Sequence, residues 1–171
     1  MLPRPRDWSV LADIVSYNPE TGWFVWCGDH QRAGMRAGSI SSSGHRREIH
    51  SKGVRYFEHT LAWAYMTGQW VTDRVVDHIN GDPLDNRFAN LRLATLTQNQ
   101  GNRRRSRHSK SPYKGVRLER GTWVAMINES GRRTRIGRYR TAEEAAEAYH
   151  VAATAKWGEF AVTWRHERGR A

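Results

Sequence analysis

The chain of 171 residues has a single cysteine, Cys27, which excludes an internal disulfide framework and a thiolate-caged zinc site. Its neighbours Phe24, Val25 and Trp26 mark it as a packed thiol rather than a nucleophile. No apolar run is long enough to cross a bilayer, and Met1 to Asp7 lacks the apolar segment of a secretory signal, so a cytoplasmic protein without a membrane partner is expected. Acidic residues are scarce, 17 against 28 Lys and Arg, for a net charge of +11. The deficit is local. Residues 101–140 hold 13 of the basic residues and only Glu119 and Glu129 among the acids, while the other 131 residues balance 15 against 15. A neutral body with one basic segment is the electrostatic footprint of a polyanion binder, and no amphipathic basic helix in that window offers a membrane alternative.

Eight Trp and 38% hydrophobic residues suffice for modest cores. Residues 8–58 alternate short apolar runs with turn signals such as Asn18-Pro19-Glu20-Thr21-Gly22, which reads as a short helix followed by small antiparallel strands. Residues 59–67 are apolar without alternation and stop at Gly68, predicting a short buried helix. From Val75 the pattern is strand, polar hairpin, strand, and a helix from about Leu96 that Thr95 and Gln98 can cap.

The chemistry concentrates between residues 77 and 99. Hydrolysing a phosphodiester takes an activated water, a cation beside the phosphate and stabilisation of the departing oxygen. His78 can accept a proton near neutral pH. Asp77 and the amide oxygen of Asn99 are hard donors that suit Mg²⁺ or Mn²⁺, whereas zinc would want more nitrogen or sulfur. Adjacent residues of a regular strand point to opposite faces, so Asp77 and His78 can serve one site only where the strand ends. Asn80, Asp82, Asp85 and Asn86 read as turn formers bonded to their own backbone, and His59 as a packed histidine of a core helix.

Asp77-His78, Asn90-Leu91 and Asn99, together with Tyr17 to Gly22 and His59-x-Leu61-Ala62-Trp63, resemble the HNH endonucleases of ββα-metal fold, especially the phage and intron-encoded homing branch, over roughly residues 10–103. The resemblance implies His78 as general base, Asp77 and Asn99 as metal ligands, and Asn90 as the side chain that ties the hairpin together. A phage-encoded enzyme would work in the host cytoplasm.

Beyond a basic linker at 103–112 the fold pattern returns, with strands expected at Tyr113 to Leu118, Thr122 to Asn128 and Arg133 to Tyr139. A helix follows, with Thr141 and Glu144 as a capping box and alanines recurring at helical spacing. Tyr113-Lys114-Gly115-Val116-Arg117, Ile136-Gly137-Arg138-Tyr139 and the Thr141 to Tyr149 segment resemble the Apetala/ethylene-response DNA-binding domain. In that family the groove-facing positions align with Lys114, Arg117, Glu119, Met126, Asn128, Arg133 and Arg135. Glu119, Met126 and Asn128 depart from the plant pattern, so no target sequence carries over. Trp123 is expected in the core, and Arg103, Arg104, Arg105 and Arg107 on phosphates.

The expected fold is α+β: a ββα-metal nuclease domain at 1–102, with core 59–102 and an N-terminal β region at 8–58, then a three-stranded antiparallel sheet with one helix at 113–164. The expected function is metal-dependent cleavage of double-stranded DNA, with no obligate protein partner evident. A DNA-binding regulator or packaging accessory that keeps the fold without cleavage is the alternative.

Overall fold

The computed structural model describes residues 7–102, 111–129 and 131–162, so Arg103, Arg104, Arg105 and Arg107 lie outside the described residues. The fold is mixed α+β with several small sheets, in two compact units that divide between Thr95 and Leu96.

The first unit opens with helix α1 (Ser9–Ala12) and a hairpin of β1 (Val15–Asn18) and β2 (Trp23–Trp26), in register Tyr17↔Phe24. Val15 and Tyr17 alternate inward while Ser16 and Asn18 face water, the period a half-buried strand requires. The turn is built by Asn18, whose Oδ1 accepts from the amides of Glu20 and Thr21, and closes at Gly22 in the left-handed region, φ +72°. Strands β3 (Ser39–Ile40), β4 (Arg47–Ser51) and β5 (Val54–Phe57) form an antiparallel meander.

Helix α2 (Glu58–Thr67) follows β5 directly and ends where Gly68 takes a left-handed conformation. Its interior residues Leu61 and Ala62 join Leu11, Phe24, Ile49 and Val76 in the core. Its first turn is unusual. Glu58, His59 and Thr60 are all buried, placing polar groups inside the unit where each needs a partner. Strands β6 (Val75–His78) and β7 (Leu91–Ala94) pair antiparallel, Asp77 opposite Arg92 and His78 opposite Leu91, and residues 79–90 loop between them.

The second unit begins with α3 (Leu96–Asn102). A Cβ on Gly101 would come within 2.7 Å of the Trp157 ring, so glycine lets α3 approach that side chain. The Gly101 carbonyl accepts from the amide of Val162 at 3.0 Å and from Lys114 Nζ at 2.7 Å. Strands β8 (Val116–Glu119), β9 (Thr122–Glu129) and β10 (Arg132–Tyr139) form one antiparallel sheet in the order β10-β9-β8. Helix α4 (Ala142–Trp157) starts at a capping box in which the Thr141 hydroxyl accepts from the Glu144 amide and the Glu144 carboxylate accepts from the Thr141 amide. It lies against the sheet, burying Ala145, Ala146, Tyr149 and Ala153. Trp123 is half-buried rather than enclosed. No helix among the described residues is long and apolar enough to cross a membrane.

Candidate active site

Strand β6 ends at His78, and both His78 and Asp77 are buried. Their side chains have different partners. Asp77 Oδ2 accepts from Arg92 Nε across the hairpin at 3.1 Å, whereas His78 Nε2 meets Asn86 Oδ1 at 2.9 Å. The His78 ring also lies edge-on to His59, centroids 5.2 Å apart.

Asn86 overturns one expectation from sequence. It does not bond its own turn: it is 1% exposed, its Nδ2 donates to Glu58 Oε2 at 3.1 Å, and its carbonyl accepts from the Tyr17 hydroxyl at 2.7 Å. Glu58 in turn accepts from Arg47 Nε at 3.0 Å, and Arg47 Nη2 reaches the carbonyls of Ala37 and Gly38. One buried chain of polar groups thus joins β4, the start of α2, the loop and the end of β6. Sequence reading missed Arg47, Glu58 and Asn86. The available signal was Glu58, the one charged residue of helix α2, placed at its start.

The electrostatics follow from this burial. Desolvation holds the His78 imidazole below its ordinary value, opposed by the hydrogen bond with Asn86 and by the carboxylates of Asp77, Asp82 and Asp85. Burial thus favours the neutral imidazole, the form that can accept a proton. His59 is held much further down, by burial first and then by His78 and Arg46. Burial pushes the Glu58 carboxyl up, and the charge and hydrogen bond of Arg47 pull it back. Burial, with Asp85 and Glu58 nearby, raises the Tyr17 phenol far above its usual value, so it stays protonated and can donate to Asn86.

Around this centre the loop is built from short side-chain turns. Asn80 Oδ1 accepts from the Asp82 amide, Asp82 Oδ1 from Leu84, and Asp85 Oδ1 from Arg87. The Arg87 hydrogen bonds hold the Asp85 carboxyl below its ordinary value. Asn90 spans the loop: its Oδ1 accepts from the Asn80 amide, and its Nδ2 donates to Asn80 Oδ1 and to the Asp85 carbonyl. A concavity of about 600 Å³ opens beside the loop between Pro19, Glu20, Ile79, Asn80 and Arg87 to Asn90; neither Asp77 nor His78 lines it.

Asn99 lies half-buried on α3, in the second unit. Among the described residues no three His, Cys, Asp or Glu side chains gather as a metal cage. The donors expected here are instead one carboxylate and one amide oxygen, which in kind suit a hard divalent cation completed by water and phosphate.

In the second unit, alternation places Arg117, Glu119, Met126, Asn128, Arg133 and Arg135 on one face of the sheet. Glu119 joins that face together, pairing with Arg117 and with Arg135, the latter at 3.4 Å. Lys114 precedes β8; its ammonium is engaged by the Gly101 carbonyl and lies over the Trp157 ring.

Residues 56–100, which include α2, β6, the loop, β7 and most of α3, match the family model described as HNH endonuclease. Over this segment the chain is similar to the HNH endonucleases. An HNH endonuclease of Acanthamoeba polyphaga mimivirus is 38% identical over 96 residues, covering 56% of this chain and 49% of that protein. A second, weaker similarity is to ethylene-responsive transcription factors of Arabidopsis thaliana. Two of them are 48% identical, over 59 and 56 residues, covering 33% and 31% of this chain and 31% and 23% of theirs. The chain spans about half or less of the length of these relatives.

Proposed function

We propose that the chain is a divalent-metal-dependent endonuclease that hydrolyses double-stranded DNA and is held on it by the second unit. The observation that carries this reading is His78: buried at the end of β6 inside the HNH-matched segment and held by a hydrogen bond on Nε2. His78 acts as the general base that takes the proton of the attacking water. Asn90 holds the loop that follows it, and β6 and β7 are the two strands of a ββα-metal arrangement. Asp77 and Asn99 would hold Mg²⁺ or Mn²⁺, which when bound supplies positive charge to the scissile phosphate and the departing 3′ oxygen.

Binding is assigned to the basic C-terminal half. Arg103, Arg104, Arg105 and Arg107 contact phosphates, and Arg117, Asn128, Arg133 and Arg135 present the sheet face to the major groove, with Lys114 at its edge. The similarity to ethylene-responsive transcription factors supports this division of labour. A homing-type role in a phage, acting in the host cytoplasm, is the biological setting the motif suggests.

A second reading, a DNA binder that no longer cuts, has one observation in its favour: Arg92 already compensates the charge of Asp77. Supercoiled plasmid incubated with Mg²⁺ or Mn²⁺ separates the two. The wild-type chain should nick or linearise it, and His78→Ala should lose about 10²- to 10⁴-fold in rate while binding duplex DNA as before. Cleavage retained by His78→Ala refutes the role of base, and no cleavage by the wild type establishes the binder.

A further inference from the structure

Four side chains far apart in sequence form one hydrogen-bonded series: Arg47 Nε to Glu58 Oε1, 3.0 Å; Asn86 Nδ2 to Glu58 Oε2, 3.1 Å; His78 Nε2 to Asn86 Oδ1, 2.9 Å. Its inner members are sheltered from water, with Glu58 0%, Asn86 1% and His78 8% exposed. Each link constrains the next. A guanidinium only donates, so Arg47 requires an acceptor. The carboxylate of Glu58 only accepts, so it takes the amino group of Asn86. With that group committed, Asn86 must turn its oxygen toward His78, and an oxygen there selects the ring nitrogen that carries hydrogen. A neutral imidazole with its proton on Nε2 has its lone pair on Nδ1. The Asn86 backbone is fixed as well, because the Tyr17 hydroxyl holds its carbonyl and Gly22 sits so close that a Cβ there would meet Asn86 C at 2.4 Å.

We infer that Arg47, Glu58 and Asn86 form a buried polarity relay that fixes the tautomer and ring orientation of His78, with Nδ1 as the proton acceptor. Glu58 and Asn86 are positioning residues: they act on the reaction through His78. The inference deepens the nuclease reading and rests on it for its kinetic consequence, but the tautomer can be read without any cleavage. It also gives the N-terminal β region a purpose beyond packing, since Arg47 and Tyr17 both come from it.

The isosteric change Glu58→Gln tests the relay. Arg47 keeps the oxygen of the new amide, so its amino group faces Asn86. Asn86 must then flip, present Nδ2 to His78, and force the ring proton onto Nδ1. Adding Asn86→Asp supplies a carboxylate that accepts from both the new amide and His78, returning the proton to Nε2. The measurement is ¹⁵N NMR of histidine-labelled full chain, with plasmid cleavage alongside. Wild type should show His78 protonated at Nε2. Glu58→Gln should show it at Nδ1, with kcat lowered on the order of 10²-fold and KM for DNA unchanged. The double variant should recover the Nε2 proton and most of kcat. An Nδ1 proton in the wild type overturns the relay even if no variant folds. So does an unchanged tautomer in Glu58→Gln, whatever its activity, because loss without tautomer reversal is a purely structural role. A wild type that fails to cut plasmid yet shows the reversal and its rescue removes the nuclease reading and supports the relay.

Discussion

Gly22 lies outside the chemistry, yet its replacement should reach it. Its φ of +72° lies in the left-handed region, which costs a non-glycine residue roughly 1–2 kcal/mol. A Cβ at this position would also stand 2.4 Å from the backbone N of Arg87 and the backbone C of Asn86. Relieving that overlap means pushing apart the β1-β2 turn and the loop at residues 79–90 by about an ångström, and overpacking of this kind typically costs about 1–3 kcal/mol. Gly22→Ala should therefore lose about 2–5 kcal/mol in all. Gly44 is the control: its φ of +71° is equivalent, and nothing lies within 4 Å of its would-be Cβ. Gly44→Ala should cost roughly 1–2 kcal/mol and nothing for overlap. Urea unfolding followed by tryptophan fluorescence gives both values, provided the midpoint moves and the slope does not. Because the displaced backbone carries Asn86, and Asn86 holds His78, Gly22→Ala should also cut more slowly, on the order of 10²-fold for a shift of an ångström, while Gly44→Ala keeps its rate. If the two variants are equally destabilised and equally active, the clamp of the turn on the loop does not exist.

Two further outcomes follow from the charges. The pKa of His59 is held well below its ordinary value, so below about pH 6.5 the unfolded chain binds a proton that the folded chain refuses, and stability is lost as pH falls, by up to about 1.4 kcal/mol per pH unit. His59→Phe should make the decline of the urea midpoint between pH 7 and pH 5 shallower; an identical decline would show that His59 is protonated at no cost in the fold. In the basic segment, replacing Arg103, Arg104 and Arg105 by Ala should weaken binding to all duplexes alike and flatten the slope of log affinity against log salt by up to about 0.9 for each phosphate left unneutralised. Titrations at several salt concentrations check this, and an unchanged slope would take those arginines off the phosphates.

The features legible along the chain are those whose cause closes within a few residues. The capping box of Thr141 and Glu144, the Asn18 turn ahead of Gly22, the side-chain turns of Asn80, Asp82 and Asp85, and the end of α2 at Gly68 each need only a short span of backbone and one suitable side chain. The Asp77-His78 pair could be singled out because acid and imidazole carry their chemistry in their identity. What those side chains touch was settled only by folding. Asn86 has the same local signature as its turn-forming neighbours, but it alone of the four ends 1% exposed, and a buried amide bonds whatever is buried beside it. Its partners come from positions 17, 58 and 78, brought together by strand pairing and by the packing of α2. Lys114 likewise reads as a groove-facing cation until the Gly101 carbonyl lies 2.7 Å away, and nothing local brings Gly101 to the ring of Trp157. Short-range hydrogen bonds and turn conformations are properties of local sequence. The partner of a buried polar group depends on which distant surfaces exclude water together, and that is a property of the whole fold.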